Sequence, residues 1–153
     1  MKRTRLQTQP YMLARHNEVT RVEVLGALVS IQAHTEQTGG AFNLFDVLLP
    51  TGYETPLHIH YAEDVAIQVM QGTLDLYWGA ERKQADVGSF FFQPRGIPHG
   101  FRVTGTLSVR ISYMTIPAGF DGFVLEHRQP IPDFERMLLE SRYKIEVLGP
   151  LPE

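Results

Sequence analysis

The 153-residue chain contains no cysteine. This absence excludes disulfide bridges, thiolate nucleophiles and the zinc or iron–sulfur sites that are built from cysteine. The chain also lacks the run of about 20 apolar residues that a helix needs to span a bilayer. Its first ten residues lack the apolar core of a signal peptide. We therefore expect a cytoplasmic protein without a membrane partner.

The chain has no strong excess of charge of either sign. Lysine and arginine together number 14 against 17 aspartate and glutamate residues, which gives a formal net charge of −3. A balance so close to neutral provides no general attraction to nucleic acid, so we expect no nucleic-acid partner. The length fits one domain, and we predict a single domain over residues 1–153.

Short runs rich in valine, isoleucine, phenylalanine and tyrosine alternate with glycine and proline, which is typical of an all-β protein. The regular spacing of these runs favours a sandwich or barrel, with the core barrel at about residues 21–115. The stretch 37–40 is predicted to be a plain loop. The predicted strands are 21–33, 42–49, 56–61, 65–71, 73–78, 84–85, 89–93, 100–103 and 107–115.

The C-terminal part of the chain predicts a short helix. Pro132 suits the first turn of a helix, where its missing N–H costs little. Phe134, Met137 and Leu138 recur at helical spacing and form an apolar face. We expect this face to pack on the barrel or on a partner subunit. We expect residues 117–145 to form a lid and this helix, and the first part of the segment either covers the barrel mouth or contacts a second subunit.

Three histidines form a candidate site. His58 and His60 lie one pleat apart in a predicted strand, so their side chains point to the same face. His99 opens a later strand after a turn rich in proline and glycine. Three converging imidazoles can offer nitrogen lone pairs to one ion. The alternative is a barrel without metal, in which water or a ligand satisfies neutral histidines. The histidines that we expect at the surface or at an interface are His16, His34 and His127.

The segments around the candidate site resemble the cupin family. The first cupin motif is G-x5-H-x-H followed by a glutamate and a glycine, and the second is G-x5-P-x-G-x2-H-x3-N. The resemblance implies a cupin barrel, which is a jelly roll or double-stranded β-helix. It also implies a divalent transition metal (Fe, Mn, Ni, Zn, Co or Cu) on His58, His60 and His99. The matching residues are Gly52, His58, His60 and Gly72 in the first motif and Gly88, Pro94, Gly96 and His99 in the second.

The chain departs from the family at the glutamate that binds metal. Counting back from the last glycine of the first motif places Val65 at that position, and Val103 stands where the second motif ends in asparagine. Asp64 is adjacent to Val65, so on a regular strand it faces the other way. Glu63 shares the face of Val65 and is the candidate replacement. It is interpreted either as a fourth ligand with a catalytic role or as a solvated turn residue.

The resemblance is to single-domain cupins similar to quercetin dioxygenases. It implies a metal-dependent, dioxygenase-like oxidoreductase that acts on a small aromatic or enolisable compound. In those enzymes the glutamate also takes a proton from the substrate, so its replacement by Val65 leaves two alternatives open. These are a non-oxidative metal-dependent isomerase or cyclase and a module that only binds a small molecule. The resemblance also implies a homodimer.

Strand alternation predicts an apolar cavity beside the histidines. Val65, Ile67 and Val69 should share the inward face of one strand, and Tyr53 should lie near the mouth. Such walls suit a planar or aromatic ligand better than a sugar.

Overall fold

The computed structural model describes residues 11–127 and 131–153 of the chain. Residues 1–10 and 128–130, which belong to the predicted domain, lie outside the described residues. The all-β prediction with a short C-terminal helix is confirmed. The elements are β1 (Thr20–Val24), β2 (Ala27–Ala33), β3 (Asn43–Leu49), β4 (Leu57–His60), β5 (Asp64–Gln71), β6 (Leu74–Trp78), β7 (Glu81–Ala85), β8 (Phe90–Gln93), β9 (His99–Arg102), β10 (Val109–Ile116), α1 (Phe120–Glu126), α2 (Asp133–Arg142) and β11 (Ile145–Gly149).

Two antiparallel sheets enclose the hydrophobic core. The larger sheet has six strands in the order β1-β2-β3-β10-β5-β8, and the smaller has five in the order β11-β4-β9-β6-β7. Alternate residues of β2, β3 and β5 face inward, as the pleat requires. In β5, Val65, Ile67 and Val69 are at most 2% exposed, and in β6 Leu74 and Leu76 are at most 3% exposed. The inward faces of both sheets therefore form one continuous core.

The predicted strand 21–33 is wrong in one respect, because the structure makes it a hairpin. β1 and β2 pair antiparallel, with Val24 opposite Ala27. Between them Leu25 and Gly26 both have positive φ angles, 51° and 92°. The turn escaped prediction because apolar residues continue through it without a proline or a polar turn residue. The predicted loop at 37–40 also differs, since Glu36–Thr38 forms one 3₁₀ turn.

The C-terminal helix occurs where Pro132 predicted it, but the prediction for its apolar face on the barrel is wrong. Phe134, Met137 and Leu138 are 71%, 64% and 54% exposed, whereas Leu139 is 6% exposed. The reason is that α2 leads directly into β11, which pairs with β4. This connection turns the side of α2 that carries Leu139 toward the fold. Packing of the exposed face on a partner subunit stays a prediction.

Helix α1, which the sequence pattern did not predict, is fixed to the six-stranded sheet by buried polar groups. Asn43 is fully buried, and its Oδ1 accepts hydrogen bonds from the backbone N–H groups of Gly119 (2.9 Å) and Asp121 (3.3 Å). The Asp121 carboxylate accepts in turn from the backbone N–H of Thr35 (2.8 Å). These bonds place Phe120, the first residue of α1, beside the ring of His60 at a centroid distance of 5.4 Å. No helix within residues 11–127 and 131–153 is long and apolar enough to cross a membrane.

Candidate metal centre

The structure brings the imidazoles of His58, His60 and His99 together inside the barrel. His58 and His60 lie on β4, and His99 begins the neighbouring strand β9 directly opposite His58. The ring centroids are 5.0 Å apart for His58 and His60, 4.4 Å for His58 and His99, and 5.2 Å for His60 and His99. One ring nitrogen of each residue lies within 4.8 Å of the others. Metal–imidazole bonds are about 2.0–2.1 Å long, so small movements of the rings are enough for the three nitrogens to share one ion.

Backbone carbonyl groups orient two of the rings. The Nδ1 atom of His58 lies 2.8 Å from the carbonyl oxygen of Pro56, and that of His99 lies 2.9 Å from the carbonyl oxygen of Ile97. A carbonyl oxygen only accepts hydrogen bonds, so each Nδ1 carries the proton. In a neutral ring this leaves the lone pair on Nε2. Both rings therefore have the tautomer of a histidine that binds metal through Nε2.

Burial keeps these two imidazoles neutral. It is the main cause that lowers the pKa of His58 to about 3, and repulsion from His99 and His60 acts in the same direction. Burial also lowers the pKa of His99 to about 4, against the hydrogen bond to Ile97, which raises it. Both Nε2 lone pairs are therefore free of protons at neutral pH, as a metal ligand requires.

A buried carboxylate orients the third ring. Glu63 is 5% exposed, and its Oε1 accepts a hydrogen bond from Nδ1 of His60 at 2.7 Å. The carboxylate therefore stands behind the imidazole, and Glu63 does not belong to the group of close ligand atoms. The interpretation of Glu63 as a solvated turn residue is wrong, because the strand start at Asp64 turns the side chain inward. Carboxylate–histidine pairs of this kind hold the ring of a metal ligand and raise its basicity.

The position of the family's glutamate is apolar in this chain. Val65 is 1% exposed and packs in the core. Asp64 faces away from the site, as expected, and its Oδ1 accepts from the backbone N–H of Arg95 (2.9 Å) and from its Nε (3.1 Å). The cross-strand partner of Val65 is Gln93, which is 2% exposed. Within the described residues its Oε1 has no hydrogen-bond partner. Sequence reasoning missed this amide, whose only signal is its place just before the turn of the second motif.

A cavity of about 200 Å³ adjoins the imidazoles. Its walls are mainly apolar and come from both sheets, from α1 and from the β1–β2 turn. Tyr53, which we expect near the mouth, is among the lining residues. Val65, Ile67 and Val69 do point inward, but they pack in the core and are not part of the wall. The lining includes His58, His60, Phe45, Val47, Leu49, Tyr53, Phe101, Ile111, Tyr113, Phe120, Phe123 and Val124.

The remaining histidines differ in exposure. His16 is exposed as predicted and contacts the guanidinium of Arg21. His34 is half-buried. Of the two positions predicted for His127, surface or interface, the surface is wrong, because its side chain is 4% exposed and lines the cavity beyond Phe123. The sequence did not indicate the buried position of His127, because helix α1, which ends next to it, has no clear helical pattern of apolar residues.

Comparison with known proteins agrees with this geometry. A family model described as a cupin domain matches residues 45–117. Quercetin 2,3-dioxygenase of Bacillus subtilis (strain 168) is 29% identical over 110 residues, which are 70% of this chain and 32% of that enzyme. The chain therefore matches about a third of the length of this curated relative.

Solved structures share the fold at low sequence identity. KdgF from a Halomonas species superposes with a TM-score of 0.62 at 22% identity, over 72% of this chain and 97% of that chain. The polyketide cyclase RemF from Streptomyces resistomycificus gives a TM-score of 0.60 at 20% identity, over 69% and 78%. An RmlC-like cupin from Shewanella frigidimarina NCIMB 400 gives 0.62 at 15% identity, over 74% and 96%.

Proposed function

Since the chain carries a cupin domain and folds as a cupin barrel, we propose that it is a metal-dependent, dioxygenase-like oxidoreductase. Its substrate is a small aromatic or enolisable compound. The observation that supports this proposal most is the set of three imidazoles whose Nδ1 atoms are all engaged and whose other nitrogens converge. The sequence similarity to a quercetin 2,3-dioxygenase adds support for the oxidative reaction.

Each residue of the site has a defined task in this proposal. His58, His60 and His99 hold a divalent ion through Nε2, and Glu63 fixes the ring of His60. A bound ion of this type would polarise an oxygen atom of the ligand and, if redox-active, would support reaction with dioxygen. Imidazole suits Fe, Mn, Ni, Zn, Co and Cu, so these ligands do not select one metal.

The cavity walls favour a planar apolar ligand. Tyr53 and Phe101 stack at a centroid distance of 6.2 Å with an interplanar angle of 27°. Phe120 and Phe123 stack at 5.0 Å on the helix that covers the cavity. These rings exclude water and offer flat apolar surfaces to an aromatic ligand body, while the histidines provide the polar end.

A non-oxidative cyclase or isomerase is the second candidate, and Val65 favours it. The family's motif has a glutamate at this position that takes a proton from the substrate, and Val65 cannot do so. The solved polyketide cyclase shares the fold. A fold alone does not choose between reactions, so the choice depends on chemistry at the site.

Oxygen consumption after metal loading tests the proposal. Metal-free protein is loaded separately with Fe(II), Mn, Ni, Co, Cu or Zn and mixed with flavonols and 1,3-diketones. We expect oxygen uptake with at least one redox-active metal, no uptake with Zn, and no uptake by His58→Ala. Product without oxygen uptake, also with Zn, would instead identify the second candidate. Ligand binding that survives chelation, without any turnover, would contradict both and indicate a binding module.

A further inference from the structure

We propose that Tyr113 binds the ligand of this site by donating its hydroxyl hydrogen to a ligand oxygen, with Tyr53 as a second donor beside it. The ligands that fit are oxygen-rich compounds such as enolates, catecholates and hydroxyketones, which have a second oxygen next to the one that the metal binds. The inference rests on the proposed function and deepens it by specifying the ligand class. It starts from a contrast among the tyrosines of the fold.

Three tyrosines outside the cavity have partners for their hydroxyl groups, whereas the two in the cavity have none among the described residues. Tyr53 and Tyr113 both line the cavity. Burial raises the pKa of Tyr53, and no hydrogen bond contributes to that shift. The paired hydroxyl groups are those of Tyr61 with Glu146 (2.7 Å), Tyr143 with Glu126 (2.6 Å) and Tyr77 with Arg102 (3.0 Å).

The backbone of β10 directs Tyr113 into the barrel. Its neighbours at two residues' distance, Ile111 and Thr115, are both fully buried, so Tyr113 shares their inward face. The ring lies 6.1 Å from the ring of Phe45 and 6.0 Å from that of Phe120. Phe120 also contacts His60. The side chain of Tyr113 therefore extends from the six-stranded sheet toward the imidazole end of the cavity.

The charge near Tyr113 agrees with this position. Burial raises the pKa of its hydroxyl well above the ordinary value, and the carboxylate of Glu63 raises it further. Glu63 is also the residue that accepts the hydrogen bond of His60, so Tyr113 and this imidazole share one charged neighbour. A phenol that stays protonated acts as a donor and needs an acceptor.

No hydrogen bond joins the hydroxyl of Tyr113 to another described residue, so its acceptor is water or an oxygen of a ligand bound in the cavity. A buried donor that loses its water without gaining a partner is costly, whereas a ligand oxygen placed against it forms a bond in an apolar surrounding. A site of this kind discriminates strongly against analogues that lack the oxygen. On the neighbouring strand of the same sheet, Val65 packs in the core and offers no proton acceptor at the position of the family's glutamate. The site therefore favours ligands that already carry negative charge on oxygen when they bind.

Titration of zinc-loaded protein with 4-nitrocatechol tests the inference through the absorbance of the bound catecholate. We expect Tyr113→Phe to raise the dissociation constant about 10-fold, the loss typical of one hydrogen bond to a charged oxygen. Tyr61→Phe is the matched control, because it removes a hydroxyl group that pairs with Glu146 outside the cavity, and it should leave the constant within about 2-fold. Zinc content, measured by elemental analysis, should be the same in all three proteins.

A second measurement separates binding from folding. The hydroxyl of Tyr113 has no hydrogen-bond partner in residues 11–127 and 131–153, so Tyr113→Phe should have an unchanged or higher melting temperature without ligand. A clear drop in melting temperature would mean that the hydroxyl serves the fold, and it would overturn the inference. Equal affinity of Tyr113→Phe and unmodified protein would overturn it while the proposed function stands. Failure of zinc-loaded, unmodified protein to bind the catechol would count against both.

Discussion

The two sheets of the barrel face the same cavity but have different chemistry. The five-stranded sheet supplies all three candidate ligands, two from β4 and one from β9. The six-stranded sheet opposes it with mainly apolar side chains, such as Val47 on β3 and Ile111 on β10. In the family's motif the second sheet adds a carboxylate at the position of Val65. In this chain it contributes the phenol of Tyr113 from β10 instead.

Because of this difference, one sheet determines how an ion is bound and the other determines which reaction the bound ligand can undergo. Ring orientation is complete within one sheet and its adjacent turns, because Pro56, Glu63 and Ile97 hold the three Nδ1 atoms. The opposing sheet decides which proton donors or acceptors meet the ligand. The comparison therefore predicts that changes in the first sheet abolish metal binding, whereas changes in the second alter stability or chemistry.

The largest effect should come from removing one ligand. His58→Ala should lower metal affinity at least about 1000-fold, close to 4 kcal/mol, since two imidazoles remain. His58 suits this test because its Nδ1 partner is a backbone carbonyl, so its loss leaves no buried charge without a partner. Elemental analysis and titration against a competing chelator measure the change. His16→Ala, which removes an exposed imidazole, is the control. Full metal content in His58→Ala would contradict the assignment of the metal ligands to the five-stranded sheet.

Restoring the family's carboxylate should sharpen the comparison. Without metal, Val65→Glu places a charge in the apolar core and should lower the free energy of unfolding by about 3–5 kcal/mol. With metal, most of that loss should be recovered, because the carboxylate becomes a ligand. Denaturant unfolding with and without the ion measures both.

Ile67→Glu is the control for Val65→Glu. It buries a carboxylate on the same face of β5 but about 6–7 Å further along the strand. It should therefore destabilise the protein whether or not metal is present. An equal loss with and without metal for Val65→Glu would mean that residue 65 does not face the ion.

The roles of the residues in these tests were not equally predictable from the sequence. The convergence of His58 and His60 follows from strand alternation, and the motif spacing brought in His99. The position of Glu63 on the inward side was also predictable from its offset to Val65. Its partner was not, because the contact with Nδ1 of His60 depends on the turn that precedes β5 and on the ring's rotamer. Sequence patterns determine faces, whereas such contacts depend on the tertiary arrangement.

The missed elements share a physical cause. The turn at Leu25 and Gly26 interrupts an apolar alternation that otherwise continues, so the hydrophobic pattern extends over both strands. Helix α1 has seven residues with Gly122 in its middle, and its stability comes from the bonds to Asn43 rather than from helical propensity. Strand β11 is short and contains no fully buried residue, and it forms because it pairs with the edge of β4.

The apolar core of the six-stranded sheet should respond differently from the ligands. Ile67→Ala removes buried methyl groups from β5 and should lower the free energy of unfolding by about 2–4 kcal/mol through the cavity that it leaves. Metal affinity should stay within about 2-fold, because no ligand depends on this side chain. Denaturant unfolding and chelator competition measure the two quantities. Gln68→Ala, on the exposed face of the same strand, should change neither. A parallel loss of metal in Ile67→Ala would show that the two sheets are coupled.

The smallest expected effect comes from neutralising Glu63 or Asp64, two neighbouring carboxylates whose side chains point to opposite sides of the sheet. Glu63→Gln keeps an acceptor for Nδ1 of His60 but removes the charge that strengthens the ring as a ligand, so metal affinity should fall about 10-fold. Asp64→Asn removes a charge that pairs with Arg95 on the outer side, and affinity should stay within about 2-fold. Chelator competition at neutral pH measures both. Equal losses in the two variants would mean that the net charge near β5 matters rather than the bond to His60. A loss of metal affinity in Glu63→Gln alone would mean that the 2.7 Å hydrogen bond between Glu63 and His60 supports metal binding.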